Sequence, residues 1–421
     1  MLKRRSLLIG TGILTLNALL AGCQSESKAA LKIRLLQGSI PPQLLKAFQR
    51  QLQDHKHQNH NVAFQASSQL ADLFRLLQTW KNPNAAPKSQ LNLPNVPIPG
   101  KAKPPAVADL ITLGDFWLTG AIQQELIQPL PLDTIPGWQQ LPPAWQQLVR
   151  RDRQGQLSSN GELWAAPYRW GSLMIAYNVE AFESLNWKPM DWADLWRSDV
   201  MGQISLPDSA RSVIGLTLKK LGQSVNTANL ETLPNLLPEL QALQRQVKFY
   251  SSDAYLQPLV LQDTWMTVGW STEILPLLER DRRIAAVVPS SGTILTADLW
   301  VRPAPASPTS PSAPAASPSP ATSPSPISPA PTTSPAAQPP VSFERWIEFC
   351  WQPATANQLA LLGSAASPVL TGVDRSQLPA KLQKNALLLP PAEVLAKSEF
   401  LLPIANSDQF QRLWEQLRQT G

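Results

Sequence analysis

The alternation of short apolar runs with amphipathic stretches over residues 31–113 constrains this chain more than any other feature. Leu31 to Leu36 suits a buried strand. Ser39-Ile40-Pro41-Pro42 then opens a helix, with prolines in its first turn, where a missing N–H costs nothing. Leu44, Leu45, Phe48 and Leu52 give that helix one apolar face. Val62 to Gln65 predicts a second strand, Leu70 to Trp80 a second helix, and Ala108 to Leu113 a buried strand. Parallel strands need long crossovers, usually helical, so this rhythm predicts an α/β domain with a largely parallel sheet.

A second α/β set follows. Leu173 to Tyr177, Gln203 to Leu206, Thr267 to Trp270 and Ile284 to Val288 read as strands, and Trp192 to Trp196 as a short helix. Asp208 is placed to cap a helix running to Leu221, with Gly222 ending it. Trp346 to Leu362 reads as a helix broken at Pro353. Two stretches interrupt the pattern. Residues 81–106 are rich in Pro, Asn and Lys and read as an inserted loop. Residues 303–340 hold no charged residue and 14 of the chain's 42 prolines, so they cannot bury a core and read as a disordered surface insertion. The remainder suits two lobes, the first mainly 31–167 and the second mainly 168–300. A return crossing falls near 265–300, and helices in 341–421 complete both lobes.

Composition narrows the function. The net charge is only +6, and no basic cluster carries interleaved aromatics, which argues against nucleic acid as a partner. The two cysteines, Cys23 and Cys350, allow no disulfide framework, and Cys350 lies on the apolar face of Phe343, Trp346 and Phe349. His55, His57 and His60 share one polar stretch and read as a solvated loop rather than a metal site. Neither Gly-x-Ser-x-Gly nor a metal-spaced His/Glu motif appears, so a secreted hydrolase is disfavoured; no catalytic residue or cofactor is expected. At the N-terminus, Lys3-Arg4-Arg5 precedes an apolar run, Leu7 to Leu20, as in a secretory signal. Leu20-Ala21-Gly22-Cys23 resembles the lipobox of bacterial lipoproteins, which implies cleavage before Cys23, acylation of its thiol, and a tether over 24–30. Arg4-Arg5-Ser6-Leu7-Leu8 is also similar to a twin-arginine export signal, and an ordinary secretory signal explains it equally well.

Three stretches together resemble a family. One is Leu163-Trp164-Ala165-Ala166-Pro167-Tyr168-Arg169-Trp170-Gly171, followed by Leu173 to Asn178. The second is Asp191-Trp192-Ala193-Asp194-Leu195-Trp196, then Gly202 to Arg211 and Leu218 to Gly222. The third is Val268-Gly269-Trp270-Ser271, then Val288 to Thr293 and Ala297-Asp298-Leu299-Trp300. In order and spacing they resemble the spermidine/putrescine-binding group of bacterial extracellular solute-binding proteins. The resemblance implies two α/β lobes of the type II periplasmic-binding-protein fold, joined by crossing strands of which residues 167–171 are the first. It also implies one ligand in the cleft between the lobes, delivery to an inner-membrane ABC permease, and a monomer held to a membrane by its lipid anchor.

In that family carboxylates grip ligand ammonium groups and aromatic rings line the methylene chain. Buried ammonium must be paired, and ring faces attract cations. The resemblance places Asp298 on the amine-binding aspartate, Trp270 on the cleft tryptophan and Glu273 where some putrescine-type members carry an acid. Gln358 falls on a cleft glutamine, and Phe116 and Trp117 where the family has aromatics. The chain also departs from the pattern. Ser212 and Ser209 stand where acids are usual, Gln37-Gly38-Ser39-Ile40 replaces an aromatic and acidic loop, and Thr296 replaces an aromatic. Asp115 is a replacement acid one residue off the usual position. A helix start with hydroxyls and no acids prefers an anion or a neutral acceptor. The expected ligand is a polyamine such as putrescine or spermidine, or a related small amine. A zwitterionic amino acid-like solute, or an adaptor or sensor lipoprotein on the same fold, is the alternative. Each residue also has a plain reading: a turn cap for Asp298, a core ring for Trp270, a solvated helix acid for Glu273, first-turn residues for Ser209 and Ser212.

Overall fold

The computed structural model describes residues 29–54, 61–83, 106–306, 341–404 and 406–419. Cys23, the three histidines and most of the 81–106 and 303–340 segments lie outside the described residues.

The longer strands of the described residues organise the molecule: β1 (Leu31–Leu36), β2 (Val62–Ser67), β3 (Leu110–Gly114), β4 (Ala166–Asn178), β5 (Ile204–Pro207), β6 (Val247–Ser251), β7 (Met266–Trp270), β8 (Ile284–Val287) and β9 (Ile294–Pro303). Their path is β2-β1-β3-β9-β4-β7-β5-β6, with β8 paired to β4 off that path. β1 is parallel to both β2 and β3, as the alternating rhythm requires. The helices used below are α1 (Pro42–Asp54), α2 (Leu70–Lys81), α3 (Ala210–Lys220), α4 (Leu236–Gln246), α5 (Ser271–Arg280), α6 (Phe343–Trp351), α7 (Pro353–Leu362) and α8 (Asp408–Gln419).

Two large cores result. The first gathers Leu31, Ile33, Phe48, Leu113, Tyr168, Trp300, Trp346 and Trp351. The second gathers Leu173, Ile175, Trp192, Leu206, Val213, Val268 and, from α8, Phe410 and Trp414. The chain passes between them on β4, where Trp170 belongs to the first core and Leu173 to the second. It returns on β9, where Ile294 belongs to the second core and Leu295 to the first. All 13 residues of β4 are buried, with Leu173, Ile175 and Tyr177 on one face and Met174 and Ala176 in a smaller cluster on the other. A strand covered on both faces reads as an unbroken apolar run, which explains Leu173–Tyr177. Tryptophan concentration serves the first core: Trp300 stacks on Tyr168 at 4.2 Å and meets Trp346 edge-on at 5.7 Å. Cys350 is buried there, and burial pushes its thiol up.

One local expectation is corrected. Ser209, not Asp208, caps α3, its Oγ accepting from the Ser212 N–H at 3.4 Å. The Asp208 N–H still donates to Ser251 O at 2.9 Å, which holds Asp208 to the sheet and moves the helix start on by one residue. The expected break at Pro353 is present, with α6 ending at Trp351 and α7 beginning at Pro353. Gln352 is extended at ψ 134° before Pro353, as the residue before proline prefers.

Candidate functional site

The site grows from where the strands stop. β1 and β3 run parallel, so Gln37–Ile40 and Asp115–Trp117 emerge at the same edge of the first lobe. Gly38 takes φ 75° there, a conformation that glycine adopts without steric cost. In the second lobe β5 and β7 are parallel with Ser205 beside Thr267, so Ser209 and Trp270 also leave the sheet at one end. β4 and β9 run between these edges, side by side and antiparallel. Open α/β sheets take ligands outside the carboxyl ends of their strands.

On the first-lobe side three predicted residues meet. Asp298 on β9 is registered with Gly114 on β3 and with Arg169 on β4. Arg169 Nε donates to Asp298 Oδ2, so the cation at this carboxylate belongs to the protein itself. Burial lowers the Arg169 guanidinium's affinity for its proton, and the Asp298 charge, the Tyr168 hydroxyl and the hydrogen bond to Asp298 together outweigh it, raising the pKa. Asp115 accepts from Thr296 Oγ1 at 2.9 Å and from the Ala297 N–H at 3.1 Å. Burial raises its carboxyl to about 7; these hydrogen bonds pull the other way and the Asp298 charge adds to the rise. The Phe116 ring folds over Gly114, where a Cβ would meet it at 2.6 Å, yet the residue stays exposed. It lies against Trp117, which stacks on Phe74 at 5.1 Å.

On the second-lobe side Trp270 ends β7 and is registered with Leu173 on β4. It is half-buried. Glu273, in the first turn of α5, accepts from the Tyr255 hydroxyl, and Tyr255 covers Gly269 of β7. The Ser271 hydroxyl receives the Ser172 N–H at 3.0 Å, which seats α5 on β4 beside Gly171. Ser209 and Ser212 join through their hydroxyls at 3.0 Å, and the first turn of α3 holds no acid. Gln358 is exposed on α7, and no hydrogen bond among the described residues ties it to the Asp115–Asp298 group.

Sequence reasoning named neither Arg169 nor Tyr255 as site residues. Arg169 left a signal, being the one charged residue in the buried run Ala166–Asn178. A charge there has to be paired. Tyr255 left none, since its partner lies 18 residues away. Arg151 is also buried close by. Burial lowers it to about 10, opposed by the charges of Asp115 and Asp152. Among the described residues no group of three or more His, Cys, Asp or Glu side chains could hold a metal ion.

Comparison with known proteins agrees with this architecture. The family model of bacterial extracellular solute-binding proteins matches residues 99–317, more than half of the 421-residue chain. The spermidine/putrescine-binding periplasmic protein of Escherichia coli (strain K12) is 29% identical over 141 residues, 34% of this chain and 40% of that protein. The putrescine/agmatine-binding protein of Pseudomonas aeruginosa is 24% identical over 209 residues, 46% of this chain and 55% of that one. The chain thus spans less than two thirds of the length of either relative. Among solved structures, a spermidine/putrescine ABC transporter substrate-binding protein from Streptococcus pneumoniae superposes with a TM-score of 0.66 at 19% identity, covering 92% of this chain and 98% of that one. The fold is therefore the two-lobe, type II periplasmic-binding-protein architecture. On the residues its family model matches, this chain belongs to the bacterial extracellular solute-binding proteins.

Proposed function

We propose that the protein is the solute-binding component of an ABC importer and that its solute is a small amine of the polyamine class or a close relative. The observation that carries this reading is that each lobe has an acid and a ring at its strand ends, on either side of the crossing strands. Asp115 and Phe116 sit by β9 in the first lobe, and Trp270 and Glu273 sit at the end of β7 in the second. An ammonium group entering between them would find carboxylates and two ring faces, the partners it needs when desolvated. Ser209 and Ser212 are assigned to the other end of the solute, and Gln358 to the lining of the cleft. Asp298 enters as half of an ion pair. The named relatives bind spermidine, putrescine or agmatine, which supports the same ligand class. Calorimetry of the purified protein with putrescine, spermidine and 4-aminobutyrate tests it. Saturable binding of at least one is expected; no binding of any of the three rejects the amine reading.

The envelope location and the anchor belong to the same proposal. The sequence Leu20-Ala21-Gly22-Cys23 after a basic and apolar segment supports lipid attachment at Cys23, with export by the secretory or the twin-arginine route. Two or more acyl chains hold a protein durably where one is marginal. Changing Cys23→Ser should release the protein from the membrane fraction and abolish acyl labelling. Retention with unchanged labelling would refute the assignment.

A further inference from the structure

Arg169 occupies an unusual position. It is the one charged residue on β4, a strand whose 13 residues are all buried. It lies one residue from Trp170 and two from Gly171, where the chain leaves the first core for the second. Across from it, the β4–β9 register slips between Asp298 and Leu299, leaving Tyr168 as the extra residue on β4. Irregularities of this kind re-aim a side chain, and they collect next to binding sites. Here one accompanies the pairing of Arg169 with Asp298.

The pairing uses only part of the guanidinium. Among the described residues Arg169 donates one hydrogen bond, from Nε. Its two terminal nitrogens, four of the five donors, form the fork that matches a carboxylate with two parallel bonds. The surroundings do not supply that carboxylate. Asp298 is engaged at Nε, and Asp115 Oδ1 is taken by Thr296 and the Ala297 N–H. In the second lobe the first turn of α3 likewise offers hydroxyls and no acid.

Building on the solute-binding reading above, we propose that Arg169 stands at Asp298 in place of a ligand ammonium and offers its terminal nitrogens to a ligand carboxylate, so that the cleft selects an amino acid-like zwitterion over a diamine. The amine end of such a solute lies toward Trp270 and Glu273. A diamine would bring a second cation against the guanidinium, and like charges at close range disfavour binding. Arg169 is on this account a specificity-determining residue.

Putrescine and 4-aminobutyrate test the proposal, because they share a four-carbon span and differ only at one end. The native protein is expected to bind 4-aminobutyrate at least tenfold more tightly than putrescine by calorimetry. Arg169→Met removes the fork and frees Asp298. It should lose at least tenfold in 4-aminobutyrate affinity and gain in putrescine affinity, reversing the preference. Arg169→Lys keeps the charge and removes the fork, and it guards against a Met variant that fails to fold. It should lower 4-aminobutyrate affinity several-fold and leave putrescine weak. Equal or tighter putrescine binding by the native protein overturns this proposal and leaves the amine reading standing, as does binding of spermidine alone. A preference unchanged in Arg169→Lys also overturns it. If none of the three ligands binds any of the proteins, both readings fall.

Discussion

Asp115 turns its carboxylate toward the backbone of β9 and gives up solvent to do so. Its pKa rises from 3.8 to about 7, with burial as the main cause. The sign of the consequence follows from proton linkage. Between those two values the folded state holds the proton more tightly than the unfolded chain, so stability falls as pH rises through the window, and the penalty is complete above about pH 7. The shift corresponds to at most about 4 kcal/mol. Asp115→Asn keeps an oxygen for Thr296 and Ala297 and removes the ionisation. Relative to the native protein it should gain about 1–3 kcal/mol in unfolding free energy between pH 5 and pH 8. Denaturant titrations at both pH values measure this, and a difference that stays flat would show that Asp115 ionises freely in the fold. Legibility at this scale followed the ends of apolar runs. Asp115, Phe116 and Trp270 were named from the family resemblance, and the place of each in the fold was visible because it follows or ends a strand that the hydrophobic pattern outlines. The partnership of Asp298 with Arg169 was not, because the two lie 129 residues apart and only the β4–β9 register joins them.

Single strands and helices were legible where a local rule fixed them. Pro42 opens α1, Pro353 splits α6 from α7, and Gly222 follows α3 with φ 70°. The cap of α3 shifted from Asp208 to Ser209 because a sheet hydrogen bond from outside the helix holds Asp208, and a local rule does not contain that bond. Contact between elements is equally nonlocal, as Gly171 shows. A Cβ there would sit 2.7 Å from Ser271 Oγ and 3.1 Å from Thr272 Cγ2. The missing side chain is what lets the start of α5 press onto β4 at the crossing. Gly171→Ala should therefore cost about 1–3 kcal/mol, the usual range for overpacking a close contact. Unchanged stability in a denaturant titration would mean that α5 stands off from β4. Because β4 carries both lobes, the same variant is the sharpest probe of whether α5 helps set their relation.

At the scale of the whole molecule, the C-terminal part of the chain divides between the two cores. α6 and α7 place Trp346, Trp351 and Leu359 in the first, and α8 places Phe410 and Trp414 in the second. Amphipathic patterns announced these helices without saying which core each would join, since an apolar face does not name its partner. Between them the chain crosses once more, along Glu399–Phe400, which pairs in parallel with Ile294 and Leu295 where β9 itself changes cores. Glu399 fastens that passage to the second lobe. Its carboxylate meets Lys219 Nζ at 2.5 Å, and it accepts from Ser224 Oγ at 2.5 Å and the Val225 N–H at 3.2 Å. Lys219 also donates to Lys397 O at 2.6 Å, so its ammonium bridges the end of α3 and the passage. Burial raises the Glu399 pKa, and these partners together outweigh it, leaving the carboxyl below its usual value of 4.5. A depressed acid contributes stability that is present above its unfolded pKa and lost as pH falls through the folded one. Glu399→Gln keeps the shape and removes the charge opposite a nearly buried lysine. It should cost about 1.5–3 kcal/mol at pH 7, the range for hydrogen bonds to charged groups. The gap to the native protein should narrow as the pH drops below about 4, because the native carboxyl is then neutral too. Chemical denaturation at pH 7 and pH 3.5 checks both parts. A loss of the same size at both pH values would mean that geometry, not charge, holds the third passage to the second lobe.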